Sequence, residues 1–341
     1  MDEQTQTTPD VGASEQPTSP SAAPAQAVSE EQRLERLLKR LLQVLVGVVV
    51  VFAVVYFIGQ RQSHVEQAPS IPDQAISSAE AAVRAKPNDL DARLALATSY
   101  ARGNRIDDAL TQLKEILKVE PGFRPALLGL GTLMYQQGNF AEAKSALTKY
   151  VASAGNGEFA SADPQLEQAE YTLGVTALKL GDPKTAVTHL AAALKIESGD
   201  ADAWFALGNA KISLGDNTAA IAAFERALAF VPSGWCEPYD GLSKAYDAAG
   251  DADGSTYAAA MVRVCQGGGL DSAAPLKDLV TGKYAVGALF GLGIAAENDG
   301  DKTAALSYYQ QLLTADRTNI AALSAIARLG ATPDPQPIAG K

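Results

Sequence analysis

The chain has 341 residues, enough for one elongated domain or two compact ones; hydrophobic residues make up 47% of it and aromatics only 6%. Its formal net charge of −11 argues against the basic surface that nucleic acid requires, and two cysteines cannot build a disulfide-dense scaffold or a four-cysteine zinc site. His64 and His189 stand far apart and outside any metal-binding pattern, so no metal and no cofactor are expected.

Residues 1–28 hold Pro9, Pro17, Pro20 and Pro24 among many Ser, Thr and Ala, with no Lys or Arg. Such a composition cannot bury a core, and a disordered cytoplasmic tail is expected. Residues 29–60 are expected to form a juxtamembrane and transmembrane helix. Within them LLQVLVGVVVVFAVVYFIGQ, residues 41–60, holds no charge between Arg40 and Arg61. Twenty helical residues rise about 30 Å, the thickness of a bilayer's hydrocarbon core. About forty residues precede this segment and no A-x-A site follows it closely, so a signal anchor fits better than a cleaved signal peptide. Arg33, Arg36, Lys39 and Arg40 precede the segment, whereas Arg61 alone follows it closely. The positive-inside rule then keeps the N-terminus in the cytoplasm and places the remainder on the extracytoplasmic side of the plasma (inner) membrane. Residues 61–73, RQSHVEQAPSIPD, read as a linker.

Beyond the linker the chain repeats. Small residues fall at Ala97, Gly131, Gly174, Gly208, Ser243 and Gly293, in steps of 34, 43, 34, 35 and 50. A second set, Ala109, Ala143, Ala186, Ala220, Ser255 and Ala305, has the same steps. Each unit reads as a helical hairpin whose small residues let its helices cross closely, with a turn residue seven positions after the first small one. The longer steps mark insertions near SAGNGEFASADPQ and QGGGLDSAAPLKDLVTGK. IPDQAISSAEAAVRAKP reads as a lone leading helix and IAALSAIARLG as a closing one.

The fourth unit, ADAWFALGNAKISLGDNTAAIAAFERALAFVP, carries Trp204, Leu207, Gly208, Gly215, Ala220, Phe224, Ala227 and Pro232. It resembles the tetratricopeptide repeat pattern W-x2-L-G, turn glycine, A-x3-F and closing proline. LALATSYARGNRIDDALTQLKEILKVEP fits more loosely, and the fifth unit departs from the pattern at Ser255. The resemblance spans residues 74–330. It implies an all-α fold, a right-handed superhelical solenoid of about six such hairpins behind one N-terminal transmembrane helix. Residues 331–341 are expected to be a flexible C-terminal tail.

GLGIAA, residues 291–296, also fits the dinucleotide fingerprint G-x-G-x-x-A, with Asp316 at the distance of a ribose-binding carboxylate. The register gives another reason: Gly291 and Gly293 repeat Gly129 and Gly131. Catalytic motifs are otherwise missing, so no catalytic residue is assigned and an enzyme is the disfavoured reading. His189, on a second helix, is expected at the surface. Cys236 and Cys265 open and close the fifth hairpin, so in an exported domain they could meet in a disulfide; two unpaired thiols are the alternative.

In the tetratricopeptide family a concave groove is lined by fixed positions of the first helices. Carried onto this sequence they include Leu128 and Tyr135, then Tyr171, then Phe205, Asn209 and Ile212, then Asp240, Lys244 and Asp247, and finally Phe290 and Ile294. Of the chaperone-type carboxylate clamp only Asn209 and Lys244 match. The expected function is a membrane-anchored scaffold or adaptor in a bacterial envelope. It binds protein or peptide partners in that groove, contacts the lipid bilayer through residues 41–60, and serves complex assembly or quality control. A narrower alternative is an assembly factor resembling those of cytochrome c maturation, which hold an apoprotein.

Overall fold

A computed structural model describes residues 30–62, 71–155, 157, 160–231 and 234–331. The expected tail 1–28, linker residues 63–70, His64, Pro232 and the tail beyond Ala331 lie outside the described residues. All regular structure among those described is helical. The chain divides into two units, Met1–Pro69 and Ser70–Lys341.

The first unit contains helix α1, Glu30–Gln62. One stretch of it, Arg33–Phe57, is long and apolar enough to cross a membrane, with a mean hydropathy of 2.4. Its Leu, Val and Phe side chains are exposed, Phe52 by 72%, so α1 is no core helix.

The second unit begins with α2, Ile71–Ala85, which starts earlier than the linker's expected end because Pro72 is tolerated in a first helical turn. Six hairpins follow. They are α3 Leu90–Arg102 with α4 Ile106–Val119, α5 Arg124–Gln136 with α6 Phe140–Ala154, and α7 Pro164–Lys179 with α8 Pro183–Ile196. Then come α9 Ala201–Ser213 with α10 Asn217–Phe230, α11 Glu237–Ala249 with α12 Ala252–Cys265, and α13 Ala285–Asn298 with α14 Lys302–Ala315. The closing helix α15 spans Ile320–Arg328. Asp89, Asp163, Asp182, Asp200, Asp216, Asp251 and Asp301 cap helices by accepting from backbone N–H groups in the first turn. Seven of the chain's 39 acidic residues therefore satisfy orphan helix donors.

Two constraints explain the repeat. The turn position has positive φ in every hairpin: Asn104 at 58°, then Gly138, Gly181, Gly215, Gly250 and Gly300 between 73° and 76°. Asn is the side-chain-bearing residue that tolerates this left-handed backbone best, which accounts for the missing glycine in the first hairpin. At the crossing there is no room for a side chain. A Cβ on Gly131, Gly174 or Gly208 would lie 2.5–2.6 Å from Leu147, Leu190 or Phe224 respectively. GLGIAA obeys the same rule inside α13, where a Cβ on Gly293 would overlap the Tyr309 ring. Asp316 accepts hydrogen bonds from Thr318 and Asn319 at the end of α14. The stretch is helix packing, not a phosphate loop.

The fifth hairpin corrects the expected register of its second helix. Gly254, Ala258 and Met261 are buried while Ser255 is only half-buried, so α12 is turned by one residue. The cause is a pair of rings: a Cβ on Gly254 would lie 2.6 Å from Tyr246 Cδ1 and 2.5 Å from Tyr284 Oη. Only the glycine fits beneath them.

Tyr284 comes from the second insertion, residues 266–284, which forms a 3-10 helix at Ala274–Leu279. This helix packs on both α12 and α13, with Ala273 and Leu276 fully buried and Leu279 nearly so. Tyr284 stacks on Tyr257 at 5.5 Å and donates to Asp251 Oδ2 at 2.6 Å. Asn298 Nδ2 donates to the Val264 and Gly268 carbonyls at 3.0 Å, and Leu270 N donates to Asp299. The insertion is a wedge between the fifth and sixth hairpins.

Candidate partner-binding groove

Helices α5, α7, α9 and α11 contact one another in turn, so these four first helices form one layer. Its apolar groove positions alternate with buried ones because of the 3.6-residue period. Leu128, Tyr135, Tyr171, Phe205, Asn209, Ile212 and Phe290 are all half-buried, a state between core and solvent. Lys244 is exposed.

Neighbouring side chains hold several of these residues in place. Tyr135 meets Phe140 at 5.8 Å between ring centroids, and Phe290 meets Tyr309 at 6.0 Å. Phe205 lies between Phe224 at 5.8 Å and Trp235 at 5.2 Å. Leu128 and Ile212 pack against the edges of core clusters. Lys244 Nζ donates to Asp240 Oδ2 on its own helix at 2.5 Å, so its charge is already met. That engagement leaves the Asn209–Lys244 remnant of a carboxylate clamp without a free cation.

Trp235 has no repeat position, because it sits in the connection between α10 and α11; counting residues could not have found it. Next to it, Cys236 is bonded to Cys265 with a Cα–Cα distance of 5.6 Å. The bond ties the start of α11 to the end of α12. Beside it opens a cavity of about 980 Å³ lined in part by Tyr239, Met261, Phe290, Ile294, Asn298 and Arg328. It reaches from the end of α12 across α13 to α15. Arg328 Nη2 donates to both carboxylate oxygens of Glu297 at 2.8 and 2.9 Å, closing one rim.

Ionisable groups gather where α7 meets α9. Burial, followed by Asp202, Asp200, Tyr135 and Glu167, pushes the Tyr171 hydroxyl up to about 12. Burial, then the hydrogen bond and charge of Asp200, push the Glu167 carboxyl up to about 7. Glu167 Oε1 is closed off from solvent and has no hydrogen-bond partner among the described residues. Asp202, exposed in the first turn of α9 three residues before Phe205, was not among the counted groove positions. His189 departs from its expected surface position: it is half-buried and hydrogen-bonds through Nδ1 to buried Glu170 Oε2 at 2.6 Å. A carboxylate that far inside needs a polar partner, and the facing second helix supplies it. No group of three or more His, Cys, Asp or Glu with metal-holding geometry occurs among the described residues.

Models of the tetratricopeptide repeat match residues 71–159, 171–234 and 257–320, together well over half of the chain. No curated protein matches. Among solved structures the fold is similar to that of MamA, at 20% identity and a TM-score of 0.45, covering 63% of this chain and 93% of that one. It is also similar to YrrB, described as a tetratricopeptide protein with an unusual peptide-binding site, at 17% identity and a TM-score of 0.42, covering 74% and 100%. A tetratricopeptide repeat protein from Parabacteroides merdae aligns at 13% identity and a TM-score of 0.43, covering 75% and 91%. The repeat spacing, the paired helices and the matched segments agree: the chain belongs to the tetratricopeptide repeat family, whose domains bind protein or peptide partners.

Proposed function

We propose that this protein is a membrane-anchored scaffold that holds a segment of a partner protein along the groove formed by its first helices. The carrying observation is the row of half-buried groove residues on the successive first helices α5, α7 and α9, with Tyr135, Tyr171 and Phe205 giving it aromatic faces and Phe290 adding one on α13. Half-buried aromatics offer large apolar area at low entropic cost, the surface that apolar or helical segments use for docking. The chain is read as non-catalytic.

Placement outside the cytoplasm rests on the cluster Arg33, Arg36, Lys39 and Arg40 before the apolar stretch, and a disulfide suits an oxidising compartment. The solenoid then works beside the bilayer, in assembly or quality control of envelope complexes. Photocrosslinking from residues 171 and 205 in intact membranes should capture a shared set of proteins, with residue 253 on α12 as the negative control. Identical products from all three positions would defeat the groove. Protease added to spheroplasts should digest the solenoid, and protection would reverse the orientation.

A further inference from the structure

The groove is not electrically even. Asp202 and Phe205 share a face of α9, and Tyr171 of α7 feels Asp202, Asp200 and Glu167. Trp235 contacts Phe205 at 5.2 Å between ring centroids. Half-buried Tyr171 on α7 and the Phe205–Trp235 pair at α9 thus bracket the carboxylates Asp200 and Asp202 at the start of α9 and Glu167 on α7, with Glu197 close to Glu167. Among the described residues no Lys or Arg lies within ion-pair distance of these four, whereas Asp163, Asp182 and Asp216 each have such a cation. Asp200 Oδ1 is committed to capping α9, and Glu197 Oε1 accepts from Gly199 N. Among the described residues Glu167 Oε1 has no hydrogen-bond partner.

Resting on the groove reading above, we propose that the stretch between Tyr171 and Trp235 takes a partner segment carrying Lys or Arg among apolar residues. The apolar positions lie on the rings, and the cationic ones meet exposed Asp202, with the charges of Asp200 and Glu167 adding to its field. Cations also stack favourably on exposed aromatic faces, so rings and carboxylates select the same residues. The chemistry is opposite to capture of a C-terminal carboxylate, and the one groove lysine, Lys244, is held by Asp240.

The test uses the full chain in uncharged detergent. Three fluorescein-labelled amphipathic peptides share their apolar positions and carry Lys, Gln or Glu at the polar ones. Anisotropy titration should show the Lys peptide binding about tenfold tighter than the Gln peptide, the size of two or three exposed ion pairs, with the Glu peptide weakest. The preference should shrink at high salt, where exposed charges are screened. Glu167→Gln with Asp202→Asn should bring the Lys-to-Gln ratio near one, whereas Asp253→Asn on α12 should leave it unchanged. Equal affinities in the parent chain, or a preference that survives the double variant, would overturn the proposal. The groove reading fails separately, if Phe205→Ala weakens none of the three peptides.

Discussion

The fourth and fifth hairpins are adjacent and built to one plan, yet different chemistry closes them. In the fourth, α9 and α10 meet through Gly208 and Phe224, and the same ring fills the space over Gly241 of the next helix. In the fifth, Gly254 lies under Tyr246 and Tyr284, the ends are tied by Cys236–Cys265, and a wedge adds to the direct packing of α12 on the sixth. One large apolar side chain serves two interfaces in the fourth. A covalent bond, buried hydroxyls and an insertion do that work in the fifth. A solenoid tolerates this because each unit answers only to its neighbours.

The strongest way to break the contrast is Phe224→Ala. The ring is fully buried and touches α9 and α11 alike, so its removal leaves a cavity at two interfaces. A loss of about 4 kcal/mol is expected. Hydrogen exchange should show α9 to α12 losing protection together while α3 to α6 keep theirs; protection lost only within α9 and α10 would show that the ring does not couple the hairpins.

Removing the disulfide with Cys236→Ser and Cys265→Ser should cost about 3.6 kcal/mol, the chain-entropy value for a loop of this length. Exchange should rise at the start of α11 and the end of α12, and reductant should reproduce it in the parent chain. No change with either treatment would mean that the wedge and the tyrosines alone hold the fifth hairpin.

Much of this was legible in the sequence, and the failures lie where a partner comes from outside the residue's own repeat position. Crossing glycines and turn residues recur at fixed spacing because one steric demand recurs, so counting finds Gly208 and Gly293. Counting cannot choose between two adjacent small residues, and at Gly254–Ser255 it chose Ser255. The deciding ring, Tyr284, arrives from an insertion with no register of its own. Trp235 escaped for the same reason, and His189 because its partner Glu170 lies on another helix. Gly254→Ala should therefore cost about 2 kcal/mol by overpacking, while Ser255→Ala changes stability by less than about 0.5 kcal/mol. Urea titrations of the two variants measure this; the reverse order would restore the counted register.

The smallest expected effect lies on the fourth hairpin's other flank, where apolar closure gives way to charge. Glu167 faces Asp200 at the start of α9, with Glu197 nearby, and its carboxyl stands at about 7 against an ordinary 4.5. A raised carboxyl favours the folded state most while protonated. Its contribution is complete below 4.5 and is lost as pH rises through about 7. Urea midpoints of the parent chain should fall across that window, and Glu167→Gln, which cannot ionise, should flatten the fall and gain stability at alkaline pH. Parallel midpoints for variant and parent would place Glu167 in ordinary solvent. A flattened profile would show that the fourth hairpin, sound on its Phe224 side, is strained toward the third by charge that a cationic partner could relieve.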